Sequence, residues 1–265
     1  MKYKTEREKY LRERKKYKIL VIVTQILLLV LFLGVWEGAA RTGLIDSFIT
    51  SSPSRIGAML WSLREQGLWK HIFTTLSECV IGFTVSTALG IVIAAVLWWS
   101  DFLQKVTEPY VVVLNSLPKI ALGPVIIIWV GAGAKAIIMM TVLICIVVTV
   151  LTSLGGMKET DPNKILLMRS MGANKWQILT KVVFPSALPT LLGVLKINVG
   201  LAWVGTIMGE YLVSGAGLGY LIIYGGQVFK LDLVMTSTVI LCFLAGIMYF
   251  AVAAIEKTAI KNRGG

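Results

Sequence analysis

The sequence predicts an all-α integral membrane protein with six transmembrane helices. Of its 265 residues, 56% are hydrophobic and 15% are charged, and the mean hydropathy is +0.79. A soluble chain of this length carries more charge, and here the apolar residues are clustered into long runs. A run of about 18 or more apolar residues can cross the ~30 Å hydrocarbon layer as a helix. These observations indicate one integral membrane domain.

Six apolar runs define the predicted spans. They lie near residues 18–39, 72–99, 106–130, 134–154, 187–209 and 233–255. The second run ends in Trp98 and Trp99, as expected for aromatic rings at the level of the lipid headgroups. The third run is interrupted by Pro109, Pro118 and Pro124. We therefore expect the third span to be a kinked helix that packs inside the bundle.

Basic residues predict the orientation of the spans. Nine Lys and Arg residues crowd the N-terminus: Lys2, Lys4, Arg7, Lys9, Arg12, Arg14, Lys15, Lys16 and Lys18. Because segments rich in Lys and Arg stay on the cytoplasmic side, we expect the N-terminus in the cytoplasm. Six spans then return the C-terminus, with Lys257, Lys261 and Arg263, to the same side.

The predicted topology divides the chain into three parts. A basic cytoplasmic segment occupies residues 1–17, a six-helix membrane domain residues 18–256, and a cytoplasmic tail residues 257–265. We expect the basic segment to form an amphipathic helix at the lipid surface, and we expect no cleavable signal peptide. The Lys and Arg residues that set this orientation account for the net charge of +12. We therefore expect no nucleic-acid ligand.

Few side chains could support catalysis or bind a metal. Cys79, Cys145 and Cys242 lie far apart in apolar segments, and His71 is the single histidine. We therefore expect inert thiols and no metal site. An intramembrane serine protease would need a Gly-x-Ser-Gly nucleophile and an embedded histidine. The stretch "LVSG" (212–215) has Leu in place of the first Gly, which argues against that class.

A short helix is predicted in the loop after the first span. Ser52 can cap it, Pro53 suits its first position, and Gly67 can end it. We expect this helix to lie at the outer membrane surface.

Residues 155–186 form the longest internal loop on the predicted cytoplasmic side. Asp161 is a candidate cap for a helix that begins at Pro162 and stops at Gly172. Glycine can adopt the left-handed backbone conformation that turns the chain there.

A second short helix is predicted to begin after Asn174 and to end at Pro185 and Pro189. Its apolar residues recur at helical spacing: Trp176, Leu179 and Val183. Such a pair of helices could insert an apolar face into a groove on another protein, with Trp176 as an anchor. It could equally lie on the membrane surface.

The loop resembles a family motif. Gly172 followed by "VVFP" (182–185) is similar to the second half of the EAA loop in ATP-binding-cassette (ABC) importer permeases. Where that motif has Glu-Ala-Ala, this chain has "LLM" (166–168). In the family the loop sits in a cleft of the ATPase subunit, and the resemblance implies the same role here. The residues concerned are Arg169, Met171, Gly172, Ala173, Trp176, Leu179 and Pro185.

The resemblance extends over residues 45–256. Segments 115–133, 168–189 and 209–222 are similar, in order and spacing, to those of nitrate, sulfonate and taurine permeases, a branch that includes importers of pyrimidine-type thiamine precursors. Glu78 replaces an Arg that is common in sulfonate-type members, which favours the pyrimidine side. The resemblance implies a type I ABC importer permease fold, cytoplasmic termini and a place in the prokaryotic plasma or inner membrane.

The energy source is expected on another polypeptide, because no stretch reads Gly-x4-Gly-Lys-Ser/Thr. The resemblance implies an ATPase subunit dimer that uses ATP and Mg²⁺, a solute-binding protein outside the membrane, and a second copy of this permease in the lipid bilayer. We expect no cofactor bound directly by this chain and no enzymatic activity of its own.

An ion-coupled secondary transporter or a channel is the alternative function. Such a protein would show inverted repeats or an acidic relay inside the membrane.

Polar side chains within the spans are candidates for the solute pathway, because they are costly against lipid. The candidates are Asn115, Pro118, Lys119, Lys196, Asn198 and Glu210. Four of these six residues have an alternative interpretation. Lys196 can extend to the interface, Asn115 and Asn198 can bond neighbouring helices, and Glu210 can pair with an amide or the binding protein.

Overall fold

A computed structural model describes residues 6–261, and the side chains of residues 8–259. Within this part the chain is helical and forms no strand. Its α-helices are α1 (Glu6–Arg41), α2 (Ser47–Thr50), α3 (Pro53–Glu65), α4 (Leu68–Trp99), α5 (Asp101–Ser116), α6 (Gly123–Val130), α7 (Ala134–Lys158), α8 (Pro162–Ser170), α9 (Lys175–Ile178), α10 (Phe184–Val213), α11 (Leu218–Gln227) and α12 (Leu231–Lys261). Lys2, Lys4 and Arg263 lie outside the described residues.

The number of spans agrees with the prediction. Among the described residues, five helices are long and apolar enough to cross a membrane: Glu8–Arg41, Leu68–Trp99, Ala134–Lys158, Lys175–Val213 and Leu231–Ala259. The helix pair Asp101–Ser116 and Lys119–Val130 passes the same test together and is bent by 89°. Counted as one broken span, this pair brings the number to six.

The third span is kinked as predicted, but its packing differs from the prediction. Pro118 interrupts the helix and opens a 3-10 turn over Lys119–Leu122. The half beyond the break, α6, buries Gly123 and Ile126 against α7. The half before it, α5, buries no side chain within this chain. The expectation that the whole span packs inside the bundle is therefore wrong for the single chain, because the bend directs its two halves to different surroundings.

The N-terminal segment is not separate from the first span. α1 runs without a break from Glu6 to Arg41, since no Gly or Pro interrupts the join between its basic and apolar parts. The backbone N–H of Ser54 donates a 3.0 Å hydrogen bond to Glu37, which holds the end of α1 beside α3.

The core consists of α4, α7 and α10. Thr141 of α7 lies between two glycines, Gly82 of α4 and Gly205 of α10. A Cβ atom at Gly205 would lie 2.7 Å from Cα of Thr141, so only glycine fits this crossing. The hydroxyls of Thr141 and Thr206 lie 3.1 Å apart in the same layer. Small residues and hydroxyl hydrogen bonds of this kind are typical of helix packing in membranes.

The helix predicted after the first span is α3. The Ser52 hydroxyl accepts the N–H of Arg55, Pro53 is the first helical residue, and Gly67 follows the helix end at φ +89°. α3 packs on α12, where the Arg55 guanidinium lies 2.7 Å from the Asp232 carboxylate. The prediction of the helix and of its caps is confirmed.

Candidate functional sites

The loop helix α8 and its turn have the predicted form. Asp161 accepts the N–H of Asn163 at 2.9 Å, which caps α8 at its start. Gly172 follows the helix end with φ +80°, a value that side chains with a Cβ rarely adopt. The N–H of Ala173 then bonds the carbonyl of Met168 at 3.0 Å. This bonding fixes the direction in which the chain leaves α8.

A reciprocal pair of hydrogen bonds starts the next helix. Asn174 accepts the N–H of Gln177 at 2.8 Å, and the Gln177 side chain accepts the N–H of Asn174 at 2.9 Å. Asn174 was predicted as the cap, whereas the role of Gln177 was missed. The Asn-x-x-Gln spacing was a usable signal for a capping box.

The second loop helix does not end at Pro185 or Pro189, contrary to the prediction. α9 continues through a π-helical turn, Leu179–Val183, into α10, so that Lys175–Val213 is one helix of 39 residues. In the π turn the N–H of Phe184 bonds the carbonyl of Leu179, five residues earlier. The wider turn gives the ring of Pro185, which has no N–H to place, the room that a regular turn lacks.

The predicted apolar face of the second loop helix is partly buried in the core and partly exposed. Leu179 and Val183 are 3% and 0% exposed, in a cluster with Ala94 and Met157. Trp176 is 63% exposed and lies beside Trp99, with ring centroids 6.4 Å apart. Leu179 therefore belongs to the chain's own core and is not available to a partner protein.

The surface that this part of the chain does expose is formed by both loop helices. Its four apolar side chains, here called the loop patch, are Leu166, Leu167, Met171 and Trp176, each at least 60% exposed. Arg169 is also exposed, while Ala173 and Pro185 are half-buried. The sequence did not single out Leu166 and Leu167 as contact residues, although they occupy the place of the family's Glu-Ala-Ala.

Three pathway candidates lie together at the bend of the third span. Pro118 opens the 3-10 turn, and the Lys119 ammonium group donates to the Asn115 carbonyl oxygen at 3.2 Å. Asn115 is exposed in the single chain, and Lys119 is half-buried.

Two other candidates bond to neighbouring helices. Asn198 is fully buried and donates to the hydroxyls of Thr87 and Thr149 at 2.9 and 2.8 Å, joining α10 to α4 and α7. Lys196 lies 2.8 Å from the Glu256 carboxylate on α12.

Glu210, at the far end of α10, holds the beginning of α11. It is 1% exposed, and its carboxylate accepts the backbone N–H of Gly219 at 2.6 Å. On α4, His71 Nδ1 accepts the N–H of Gly217 at 3.0 Å, and the Thr75 hydroxyl accepts that of Leu218 at 2.8 Å. Three successive amides at a helix start, which have no acceptor within the helix, are thus bonded from two other helices.

A second carboxyl group lies next to this cap. Glu78, one turn from Thr75 on α4, is 5% exposed and close enough to interact with Glu210. Within the described residues, one oxygen of each carboxyl group has no hydrogen-bond partner. His71 and Thr75 were not predicted as part of this site, although their i, i+4 spacing places them on one face of α4.

Comparison with known proteins gives the chain its family. Residues 86–259 match the family described as "Binding-protein-dependent transport system inner membrane component". The chain belongs to this family. It is therefore a multi-pass inner membrane component of an ABC importer, as the resemblance implied.

Relatives of this transport component have similar lengths. A "Probable ABC transporter permease protein" of Haemophilus influenzae is 28% identical over 87% of this chain and 94% of its own length. The "Formylaminopyrimidine transport permease protein ThiX" of Halalkalibacterium halodurans is 30% identical over 73% and 77%. The "Taurine transport system permease protein TauC" of Escherichia coli is 24% identical over 86% of each chain.

Solved structures of ABC importers share the fold of this component. An inward-facing structure of the methionine ABC transporter MetNI gives a TM-score of 0.64 at 23% identity, covering 72% of this chain and 95% of the other. A bacterial alginate ABC importer gives 0.65 at 13% identity, covering 94% and 99%. The predicted type I importer permease fold is confirmed.

Proposed function

We propose that this chain forms the solute pathway of an ATP-driven importer and is coupled to its ATPase through the loop patch. The observation that supports the coupling is the exposure of Leu166, Leu167, Met171 and Trp176 on helices held at a fixed angle by the Gly172 turn. Four large apolar side chains on α8, on the turn after it and at the start of the helix Lys175–Val213 form a contact surface suited to a groove on another protein.

The proposed partner at the loop patch is a dimer of ATPase subunits. ATP-driven closure of that dimer would move two loop patches together and switch the membrane helices between inward-open and outward-open packings. ATP and Mg²⁺ would be bound by the ATPase, since the sequence of this chain has no Walker-type loop. In this proposal the chain is a transport subunit with no catalytic activity and no cofactor of its own.

A second copy of the chain and a solute-binding protein complete the proposed importer. Support for the second copy comes from α5, whose Tyr110, Val112 and Val113 are exposed apolar or aromatic side chains. A copy packed there would cover this surface and enclose a path that one set of six spans does not. The binding protein would deliver solute at the end of the bundle where α11 lies.

The proposed solute is a small anion of the sulfonate, taurine or nitrate type, or a pyrimidine-type thiamine precursor. The support is the set of relatives named for such solutes. Asn115, Pro118 and Lys119, at the exposed bend, are the candidates for contact with it. For Lys196, Asn198 and Glu210 the hydrogen bonds and ion pair described above favour structural roles.

The coupling proposal is tested by two alanine variants of glycines that have open space around them. Gly172 and Gly155 both have no atom within 4 Å of an added Cβ, but only Gly172 has a positive φ. We expect Gly172→Ala to strain the turn and to lower solute-stimulated ATP hydrolysis and uptake, and Gly155→Ala to leave both unchanged. If the two variants show the same solute-stimulated ATP hydrolysis and the same uptake, the proposal is contradicted.

Association is tested separately. Trp176 and Trp69 are similarly exposed, at 63% and 59%, on opposite ends of the core. We expect Trp176→Ala to reduce co-purification of the ATPase subunit and Trp69→Ala to leave it intact. Undiminished association of the Trp176→Ala variant would remove this residue as an anchor.

A further inference from the structure

An apolar groove runs along the end of α4 that faces the loop helices. Its volume is about 470 Å³, and its walls are almost entirely carbon. One side is formed by α4, with Ile91, Ala95 and Trp99. The other side is formed by the helix Lys175–Val213, with Trp176, Leu179 and Phe184. The groove is open along its length, so it is accessible from the hydrocarbon layer around the bundle.

A basic pocket lies on the other side of Trp99. This pocket, of about 270 Å³, is lined by Lys158 at the end of α7, Arg169 of α8 and Lys175 of α9, together with Asp101. Within the described residues none of the three cations forms an ion pair, and the one hydrogen bond among them is from Lys175 to the Trp99 carbonyl at 3.4 Å. Three cations face one carboxylate, so the pocket has an excess of positive charge.

Trp99 lines both cavities, and its position sets their depth. It is the last residue of the span Leu68–Trp99, and tryptophans at span ends lie at the level of the lipid headgroups. The groove therefore extends from Trp99 toward the hydrocarbon, while the basic pocket lies on the aqueous side. An apolar channel and a cationic pocket that meet at the interface are complementary to an amphipathic anion.

We propose that these two cavities form one binding site for an anionic phospholipid. One acyl chain lies in the groove beside Ala95, and the phosphate lies among Lys158, Arg169 and Lys175. An anionic lipid has both an acyl chain for the groove and a phosphate for the cations, whereas a soluble anion has no acyl chain and a neutral lipid has no net negative charge. Basic pockets between membrane helices are known to hold acidic headgroups. The lipid would also contact Trp176, which belongs to the loop patch.

The charge requirement is tested on the purified full-length chain with its ATPase partner. Retained lipid is measured by native mass spectrometry after equilibration with equal amounts of palmitoyl-oleoyl phosphatidylglycerol and phosphatidylcholine. We expect preferential retention of phosphatidylglycerol, reduced about five-fold in Lys158→Gln, as follows from about 1 kcal/mol per cation near a headgroup. Lys105→Gln, at an exposed lysine of α5 outside the pocket, is the control and should retain lipid as the unmodified chain does.

The groove requirement uses a second pair of variants. Ala95→Phe fills the groove, whereas Val85→Phe adds the same ring to the exposed surface of α4 outside it. We expect only Ala95→Phe to lose phosphatidylglycerol, with both variants matching the thermal stability of the parent. Equal retention of the two lipids, equal effects of Lys158→Gln and Lys105→Gln, or displacement by soluble glycerol phosphate at the same concentration would each overturn the proposal.

Discussion

The carboxylate of Glu210 accepts the backbone N–H of Gly219 at 2.6 Å, so that α10 holds the first turn of α11. The carboxylate is buried, and a Cβ atom added at Gly219 would lie 2.8 Å from its oxygen. This close approach explains why the segment "GEYLVSGAGLGYLI" has an acidic residue at position 210 and a glycine at position 219. A residue that the sequence offered as a pathway candidate is thus the acceptor of a backbone amide.

We predict that Glu210→Ala destabilises the chain by about 1–3 kcal/mol, because the buried amide of Gly219 loses its acceptor. Thermal unfolding in detergent measures the effect. Glu65→Ala, at an exposed glutamate of α3, is the control and should unfold at the parent temperature. A Glu210→Ala chain of unchanged stability that fails to transport would instead indicate contact with solute or binding protein.

Asn198 gives a second prediction. Because its amide joins Thr87 and Thr149 on two other helices, Asn198→Ala should cost about 1 kcal/mol, the sum of two modest hydrogen bonds inside a membrane protein. Unfolding in detergent should reveal this loss, while uptake by the folded fraction should persist. Thr84→Ala, at an exposed threonine bonded only within its own helix, should be neutral. Loss of uptake without loss of stability would restore Asn198 to the pathway.

The glycines of α10 give a third prediction with an internal control. Gly205→Ala should destabilise the core by about 1–3 kcal/mol, because the new methyl group overlaps the backbone of Thr141. Gly200→Ala, where no atom lies within 4 Å of the added Cβ, should be neutral or slightly stabilising in a helix. If unfolding measurements rank the two variants the other way, Gly205 does not lie against the backbone of Thr141.

Lys196 and Glu256 give a fourth prediction, on the ion pair between α10 and α12. Lys196→Glu alone should destabilise the chain by bringing two carboxylates together, and the double exchange Lys196→Glu with Glu256→Lys should recover most of the loss. Because the two charges attract only as a pair, the effects of the two single exchanges should not add up to that of the double exchange. Recovery of stability without recovery of uptake would show that the lysine also acts on the solute.

The positions at which helices begin and turn were predictable in the loop between α7 and α10, because residues close in sequence determine them. Asp161, Gly172 and Asn174 act within one or two turns of themselves, and the structure places each where the spacing indicated. The prolines at 185 and 189 were misjudged for a related reason. Pro185 follows directly after a π turn that makes room for its ring, and the sequence pattern does not indicate such a turn. Pro189 lies inside α10, where the helix continues through it.

The direction in which side chains face was less predictable. Trp176, Leu179 and Val183 share a helical face by spacing, yet only Trp176 is exposed, because α4 and α7 lie against the rest of that face. Periodicity identifies an apolar face without identifying what covers it. The same limit applies to Asn198, whose partners Thr87 and Thr149 lie 111 and 49 residues away in sequence. Periodicity gave no sign of these contacts.

The uninterrupted helix Lys175–Val213 has a consequence for how movement crosses the membrane. Its 39 residues, at about 1.5 Å each, form a rod about 58 Å long. Trp176 lies near the first end of this helix. Glu210, which is hydrogen-bonded to α11, lies near the other end. Because the helix is continuous between these residues, we expect a tilt imposed at its first end to be transmitted to α11. The π turn Leu179–Val183 and the two prolines that follow it, Pro185 and Pro189, are the places where the regular hydrogen bonding is interrupted.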